Sequence, residues 1–275
     1  MVRPSKPEPT TSGERTRLIS IAAGVTPELA EDPATFVDAA GHAGWPATGI
    51  WYDPASWTDK TTAEIRRRLD DHGLLALDME VVRMGSDADC GEALIDAAAE
   101  LGVRNILAIS HFEDPARTAT RFAELCERGA SAGIRVCLEF MRFTPVRTLA
   151  DALDVLSRIN QPNAGILVDL LHVVRSGTTL DALDAADASL FPYVQWCDGP
   201  AEPRGWDRRE IITDALDDRS APGDGDLPVN EFERLFDASV PFSLEVRSLA
   251  LRDRFPDPVE RAQHLLSLTR SALQS

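Results

Sequence analysis

Eight short apolar, β-branched runs, each followed by a helical pattern, recur along nearly the whole chain, and this alternation constrains the fold more than any other feature. The runs span 18–22, 48–51, 74–82, 105–110, 134–140, 165–169, 193–197 and 242–246. Helices are expected at 35–43, 63–72, 87–101, 116–132, 149–159, 179–187, 229–236 and 258–273. Several carry recognisable starts: Asp32-Pro33, Thr61 or Thr62, Asp114-Pro115 and Thr148 supply capping oxygens, two with Pro at the first helical position. Gly44, Gly73, Gly102 and Gly133 stand where left-handed C-caps are wanted. Strands alternating with helices form parallel sheets through right-handed crossovers. Eight such units in 275 residues match one (β/α)8 barrel, which typically takes about 250 residues. The competing doubly wound sheet lacks its phosphate-binding fingerprint, because the first strand runs into Gly24-Val25-Thr26-Pro27 rather than G-x-G-x-x-G.

Composition narrows function. With 45 acidic and 28 basic residues the net charge is −17, which disfavours binding to nucleic acid or to an anionic membrane surface. The expected partner is a small molecule. No apolar run nears the roughly 18–20 residues that span a bilayer, so the expected location is the cytoplasm. Cys90, Cys126, Cys137 and Cys197 lie far apart with no C-x-x-C pair and read as unpaired thiols. Residues 1–16, polar and rich in Pro, Ser and Thr, read as a disordered tail, and 17–275 as the barrel domain. The only lysines are Lys6 in that tail and Lys60 at a helix start. Schiff-base catalysis needs a lysine amine desolvated in a pocket, and this chain has little means to provide one.

Barrel enzymes place their chemistry at the C-terminal ends of the strands. Those ends read Asp78-Met79-Glu80, Ser110-His111, Glu139-Phe140-Met141, Asp169-Leu170-Leu171-His172, Gln195-Trp196-Cys197-Asp198 and Glu245-Val246-Arg247. A carboxylate closing an apolar strand is costly to bury without a partner. Four successive strands ending in Glu139, Asp169, Gln195 and Glu245 point to convergence on a cation, and hard oxygen donors suit Mg2+ or Mn2+ better than zinc. His42, His72 and His264 fall on helices and read as structural, whereas His111 and His172 are candidate substrate contacts.

Five stretches carry a family resemblance. They are Val136-Cys137-Leu138-Glu139-Phe140, Leu167-Val168-Asp169-Leu170-Leu171-His172 continuing to Arg175 and Gly177, and Tyr193-Val194-Gln195-Trp196-Cys197-Asp198-Gly199. The others are Arg219 through Pro222-Gly223-Asp224-Gly225, and Ser243-Leu244-Glu245-Val246. Over 18–270 the sequence resembles the xylose isomerase-like TIM-barrel superfamily, in its sugar-phosphate isomerase/epimerase branch. The resemblance implies one divalent metal held by Glu139, Asp169, Gln195 and Glu245, with His172 contacting substrate. Gln195 stands where ketose epimerases often carry His, and Asp198 is a rival donor on the same strand. The branch also includes enzymes acting on cyclitols and hydroxylated ring acids.

A divalent ion on a hydroxy-ketone polarises the carbonyl and stabilises the enediolate formed by loss of the α-proton. Glu139 and Glu245 are the natural acid–base pair. Returning the proton epimerises or isomerises, and expelling a β-hydroxyl dehydrates. The primary reading is a metal-dependent isomerase or epimerase of a keto-sugar or related compound. The alternatives are a dehydratase of a keto-cyclitol or hydroxylated ring acid, and a non-catalytic barrel acting as a subunit or binding module. Arg175 and Arg219 are candidates for binding a substrate carboxylate or phosphate. Trp51, Trp57, Trp196 and Trp206 are candidates for stacking on a ring. The long segment from Gln195 to Glu245 is expected to wall or cover the pocket. Homo-oligomers are common among such barrels, and no residue specifies a state.

Overall fold

Period-two alternation decides where each strand looks. In the computed structural model, which describes residues 16–274, β1 (Ile19–Ile21), β2 (Ala47–Trp51), β3 (Leu75–Met84) and β4 (Asn105–Ser110) are followed by β5 (Arg135–Glu139), β6 (Ala164–Asp169), β7 (Val194–Trp196) and β8 (Phe242–Leu244). All pair in parallel and in sequence order, and β8 returns to β1 to close a barrel. Leu77, Val81, Leu107, Cys137, Leu167 and Tyr193 pack together as an inner core. The intervening residues, such as Val136, Leu138, Ile166, Val168, Trp196 and Phe242, join a larger core shared with the helices. Full burial of each such side chain stabilises the fold by roughly 1.5–3 kcal/mol.

The helices are α1 (Pro33–Ala43), α2 (Asp59–His72), α3 (Gly91–Leu101), α4 (Pro115–Ala130), α5 (Leu149–Ser157), α6 (Leu170–Ser176), α7 (Leu180–Asp184), α8 (Arg208–Asp217), α9 (Val229–Arg234), α10 (Leu249–Arg254) and α11 (Pro258–Ala272). Asp32, Asp114 and Thr148 cap α1, α4 and α5 as expected. α2 differs: Thr58 is its cap, and Thr61 is the third helical residue in a reciprocal capping box. Gly44, Gly73 and Gly102 end their helices with positive φ, whereas Gly133 lies beyond the Ser131 cap of α4. α6, α8 and α10 lie where the sequence suggested loop. α11 closes against the start of the barrel, with Trp45 Nε1 donating to the carbonyl of Ala262 at 2.9 Å and Arg261 Nη1 donating to that of Val25 at 3.3 Å.

The expected tail 1–16 lies outside the described residues except for Thr16. No helix among the described residues is long and apolar enough to cross a membrane. All four cysteines are free, and Cys126, Cys137 and Cys197 are buried. Lys60 is exposed on α2.

Candidate active site

Strand alternation brings Glu139, Asp169, Gln195 and Glu245 to one rim. Parallel register sets Glu139 beside Leu167, Asp169 beside Gln195, and Gln195 beside Ser243, two residues before Glu245. All four are buried. Asp169 ends β6 and also caps α6, accepting the backbone N–H of His172 at 3.2 Å. That cap gives the Asp-x-x-His spacing its meaning: His172 sits in the first turn of a helix rather than in the loop expected from sequence. Glu139, Asp169 and His172 each present a ligand atom within 4.8 Å of the others.

The electrostatics differ from group to group. Burial pushes Glu139 well above the ordinary carboxylate range, and the charges of Asp169 and Glu245 push it further. Burial also raises Glu245, against the pull of Arg219 and Arg247. For Asp169 burial acts upward too, but the Arg219 guanidinium and His172 hold it below its usual value. Arg219 donates to Asp169 Oδ2 at 2.6 Å, to the Ala215 carbonyl at 2.8 Å and to Cys197 Sγ at 3.3 Å. Burial drops His172 to about 4, so its imidazole is neutral at physiological pH. Its Nε2 stands 3.8 Å from Glu139 Oε1, too far for a hydrogen bond. Gln195 donates its amide to Glu245 Oε2 at 2.6 Å.

These groups surround a cavity of about 230 Å3. Val81, Leu107, Ile109, Met141 and Phe143 make its apolar wall, and Trp51 lies at its edge with the Arg83 guanidinium 5.9 Å above the ring. Ala215, Leu216 and Arg219 come from the long segment between β7 and β8, which walls the cavity. Glu80 adds a further carboxylate. It enters where β3 shifts register against β4 between Met79 and Val82, an irregularity that lets both Glu80 and Val81 reach the cavity. Glu80 Oε1 is buried without a hydrogen-bond partner, and burial raises this carboxyl well above its ordinary range.

Glu80, Glu139 and Glu245 thus line one cavity, with Asp169 buried beside Glu139 and His172, and a single deeply buried guanidinium, that of Arg219, lines it with them. Unpaired buried carboxylates are expensive unless a cation or proton neutralises them. The uncompensated charge, the orphaned Glu80 oxygen and the oxygen-rich donor set fit a divalent cation.

Other candidates lie elsewhere. Alternation turns Trp196 away from Gln195 into the outer core, where it packs against Phe242 at 5.3 Å. Arg175 is fully buried in a bidentate pair with Asp214, at 2.8 and 3.2 Å, and also donates to the carbonyls of Pro200 and Ala201. It is therefore committed to tying α6 and α8 together. Asp198 accepts the backbone N–H groups of Gly199, Gly223 and Leu227, and so organises the long segment. Trp57 packs on Tyr52 and donates to Thr62 beside α2. His111 and Trp206 border a separate, outer cleft. Arg83 and Arg247 line the cavity although neither stood among the expected contacts. The signal was period two: Arg247 follows Glu245 by two positions, as Glu80 follows Asp78.

The family pattern described as xylose isomerase-like TIM barrel matches residues 36–271. The chain belongs to that family. It is 27% identical over 262 residues to a 3-dehydroshikimate dehydratase of Pseudomonas aeruginosa, an alignment that takes in 86% of this chain and 40% of that protein. The chain thus spans about two fifths of the length of this curated relative. Among solved structures, a xylose isomerase-like TIM barrel/4-hydroxyphenylpyruvate dioxygenase fusion protein superposes with a TM-score of 0.76 at 19% identity, over 94% of this chain and 44% of that one. A D-psicose 3-epimerase from Clostridium cellulolyticum, solved with D-tagatose, superposes with a TM-score of 0.70 at 13% identity, over 93% and 99% of the two chains.

Proposed function

We propose that this chain is a divalent-cation-dependent lyase that removes water from a hydroxylated cyclic keto acid of the 3-dehydroshikimate type. The observation that carries the reading is the company the carboxylates keep. In the cavity that holds Glu139 and Glu245, Arg83 and Arg247 have no carboxylate within ion-pair distance among the described residues. Guanidinium groups left unpaired beside acid–base carboxylates call for a substrate that brings its own anion, which a neutral sugar lacks. The 27% identity to a dehydratase across 86% of the chain supports the same class.

Mn2+ or Mg2+ bound by Glu139, Asp169, Gln195 and Glu245 would act as a Lewis acid on the substrate carbonyl and so make the neighbouring C–H acidic. The protein groups divide the rest. Glu245 accepts the Gln195 amide and feels Arg219 and Arg247, so of the two glutamates it is the one more readily ionised and serves as the base. Glu139, raised by burial and by the charges of Asp169 and Glu245, is the more readily protonated of the two and is assigned the acid. Glu245 takes the α-proton, a carbon–carbon double bond forms, and the β-hydroxyl leaves as water with the proton of Glu139. Exchange with solvent then restores both carboxyls. Neutral His172 orients a substrate oxygen, and Arg83 with Arg247 holds the carboxylate.

Epimerisation or isomerisation, the alternative, shares the first proton transfer and differs in returning that proton to carbon. A single assay separates the two: 3-dehydroshikimate and a set of ketohexoses are incubated with enzyme and Mn2+ in deuterated water. Dehydration yields a dihydroxybenzoate from the ring acid and no exchange into the sugars. Deuterated sugar epimers without aromatic product would replace the lyase by an epimerase. Glu139→Gln should slow either reaction by about 10²–10⁴-fold.

A further inference from the structure

Beyond Phe143, which borders both spaces, a second and larger cleft of about 540 Å3 opens at the barrel mouth. Three guanidinium groups, from Arg142, Arg147 and Arg208, line it. None has a carboxylate within ion-pair distance among the described residues, although many other arginines of this acidic chain are so paired. Glu113 is the one carboxylate on the lining, and His111 is the one imidazole. Trp206, nearly half exposed, presents its ring to the same space, with the Arg142 guanidinium 4.8 Å from the ring centroid. Arg142 Nη1 also donates to the carbonyl of Arg175 at 3.4 Å, which holds it over the cleft.

Three unpaired cations converging in a concave space on a chain of net charge −17 concentrate positive potential where the rest of the surface repels anions. An indole face beside them adds affinity for a flat ring. We infer that the cleft is a second ligand site, distinct from the catalytic cavity, for a small ring-bearing anion held by Arg142, Arg147 and Arg208 against Trp206. Carboxylate and phosphate monoester are the two anion chemistries it would accept. The site does not depend on the reaction assigned to the inner cavity.

The test is calorimetric titration of the full chain with benzoate and with phenyl phosphate, while tryptophan fluorescence is followed. The proteins compared are wild type, Arg147→Gln/Arg208→Gln, Trp206→Phe and the inner-cavity variant Arg247→Gln. Arg147 and Arg208 are exposed, so the double variant keeps its fold. Wild type and Arg247→Gln should bind at least one of the probes with a change in fluorescence. In the double variant that binding should weaken at least tenfold, and in Trp206→Phe the fluorescence change should vanish. Preference for benzoate assigns a carboxylate ligand, and preference for phenyl phosphate a phosphate ester. Absence of binding by both probes, or binding that the double variant leaves unchanged, overturns the inference. A protein that binds a probe in this cleft yet never dehydrates a ring acid retains this site and loses only the proposed reaction.

Discussion

Gln195 donates its side-chain amide to Glu245 across 2.6 Å, joining neighbouring strands β7 and β8 at the rim of the candidate site. The bond fixes one oxygen of the proposed base and directs the remaining amide oxygen elsewhere. Gln195→Ala should therefore leave the barrel folded but weaken Mn2+ binding by about 10–100-fold, the usual cost of removing a group that supports a metal site. Calorimetric titration with Mn2+ checks this. Equal affinity in variant and wild type would remove Gln195 from the site.

Arg219 and Asp169 form a fully buried pair at 2.6 Å. Removing one partner of such a pair leaves the other charged and desolvated, at a cost of about 3–5 kcal/mol. Arg219→Gln should lose stability on that scale in urea unfolding at pH 7, and Arg219→Lys should recover only part, since an ammonium cannot also serve Ala215 and Cys197 in the same plane. The sign with pH follows from Asp169, whose folded value lies below its unfolded one. Its contribution is present above the ordinary Asp range and is lost as pH falls through the folded value. The acid limb of the stability curve should accordingly be shallower in Arg219→Gln.

Asp78 lies below Glu80 with neither oxygen hydrogen-bonded, and burial with the charge of Glu245 raises it to about 7. The folded chain then binds this proton more tightly than the unfolded chain does. Stability from this group is full below the ordinary Asp range and declines as pH rises toward 7. Asp78→Asn should flatten that decline and stabilise the cation-free protein at pH 8 by as much as about 4 kcal/mol. Unfolding at pH 5 and pH 8 gives the comparison, and a variant less stable than wild type at pH 8 would contradict it.

At the surface Arg121 gathers Asp89, Glu92 and Glu124 between α3 and α4. Hydrogen bonding to Arg121 holds Glu92 down at about 2. Glu92 is more than half exposed, and solvent screening limits such a pair to about 0.5–1 kcal/mol. That stability is present above the ordinary Glu range and disappears as pH falls toward 2. Glu92→Gln should cost this amount at pH 7 in low salt and nothing at pH 2, as read by thermal unfolding across pH. A loss that grows at acid pH would contradict the assignment.

Much of the barrel was legible because burial on both faces leaves strands as uninterrupted apolar runs. Strand 105–110 agrees in both bounds with β4, and each of the eight runs overlaps one strand of the barrel. The helices that were missed have physical reasons. Leu170–Ser176 resumes the apolar pattern straight after Asp169, and only the second duty of Asp169 as a cap marks the change to helix. The rim donors were legible as polar residues ending apolar runs. The fates of Arg175 and Asp198 were not, since Asp214 lies 39 positions from Arg175, and Gly223 and Leu227 lie 25 and 29 positions from Asp198. Trp196 was within reach of local reasoning, because a strand that turns Gln195 inward turns its neighbour outward.

Closure of the barrel by β8 against β1 has a consequence for how the molecule is made. Ile19 pairs with Phe242 and Ile21 with Leu244, so the first strand of the barrel to be synthesised waits for the last strand of the barrel. Glu245 follows immediately behind that closing strand. Nascent chains stopped before it therefore lack both the final stave and the proposed base, so neither barrel closure nor the proposed acid–base pair is complete until β8 and Glu245 have been made.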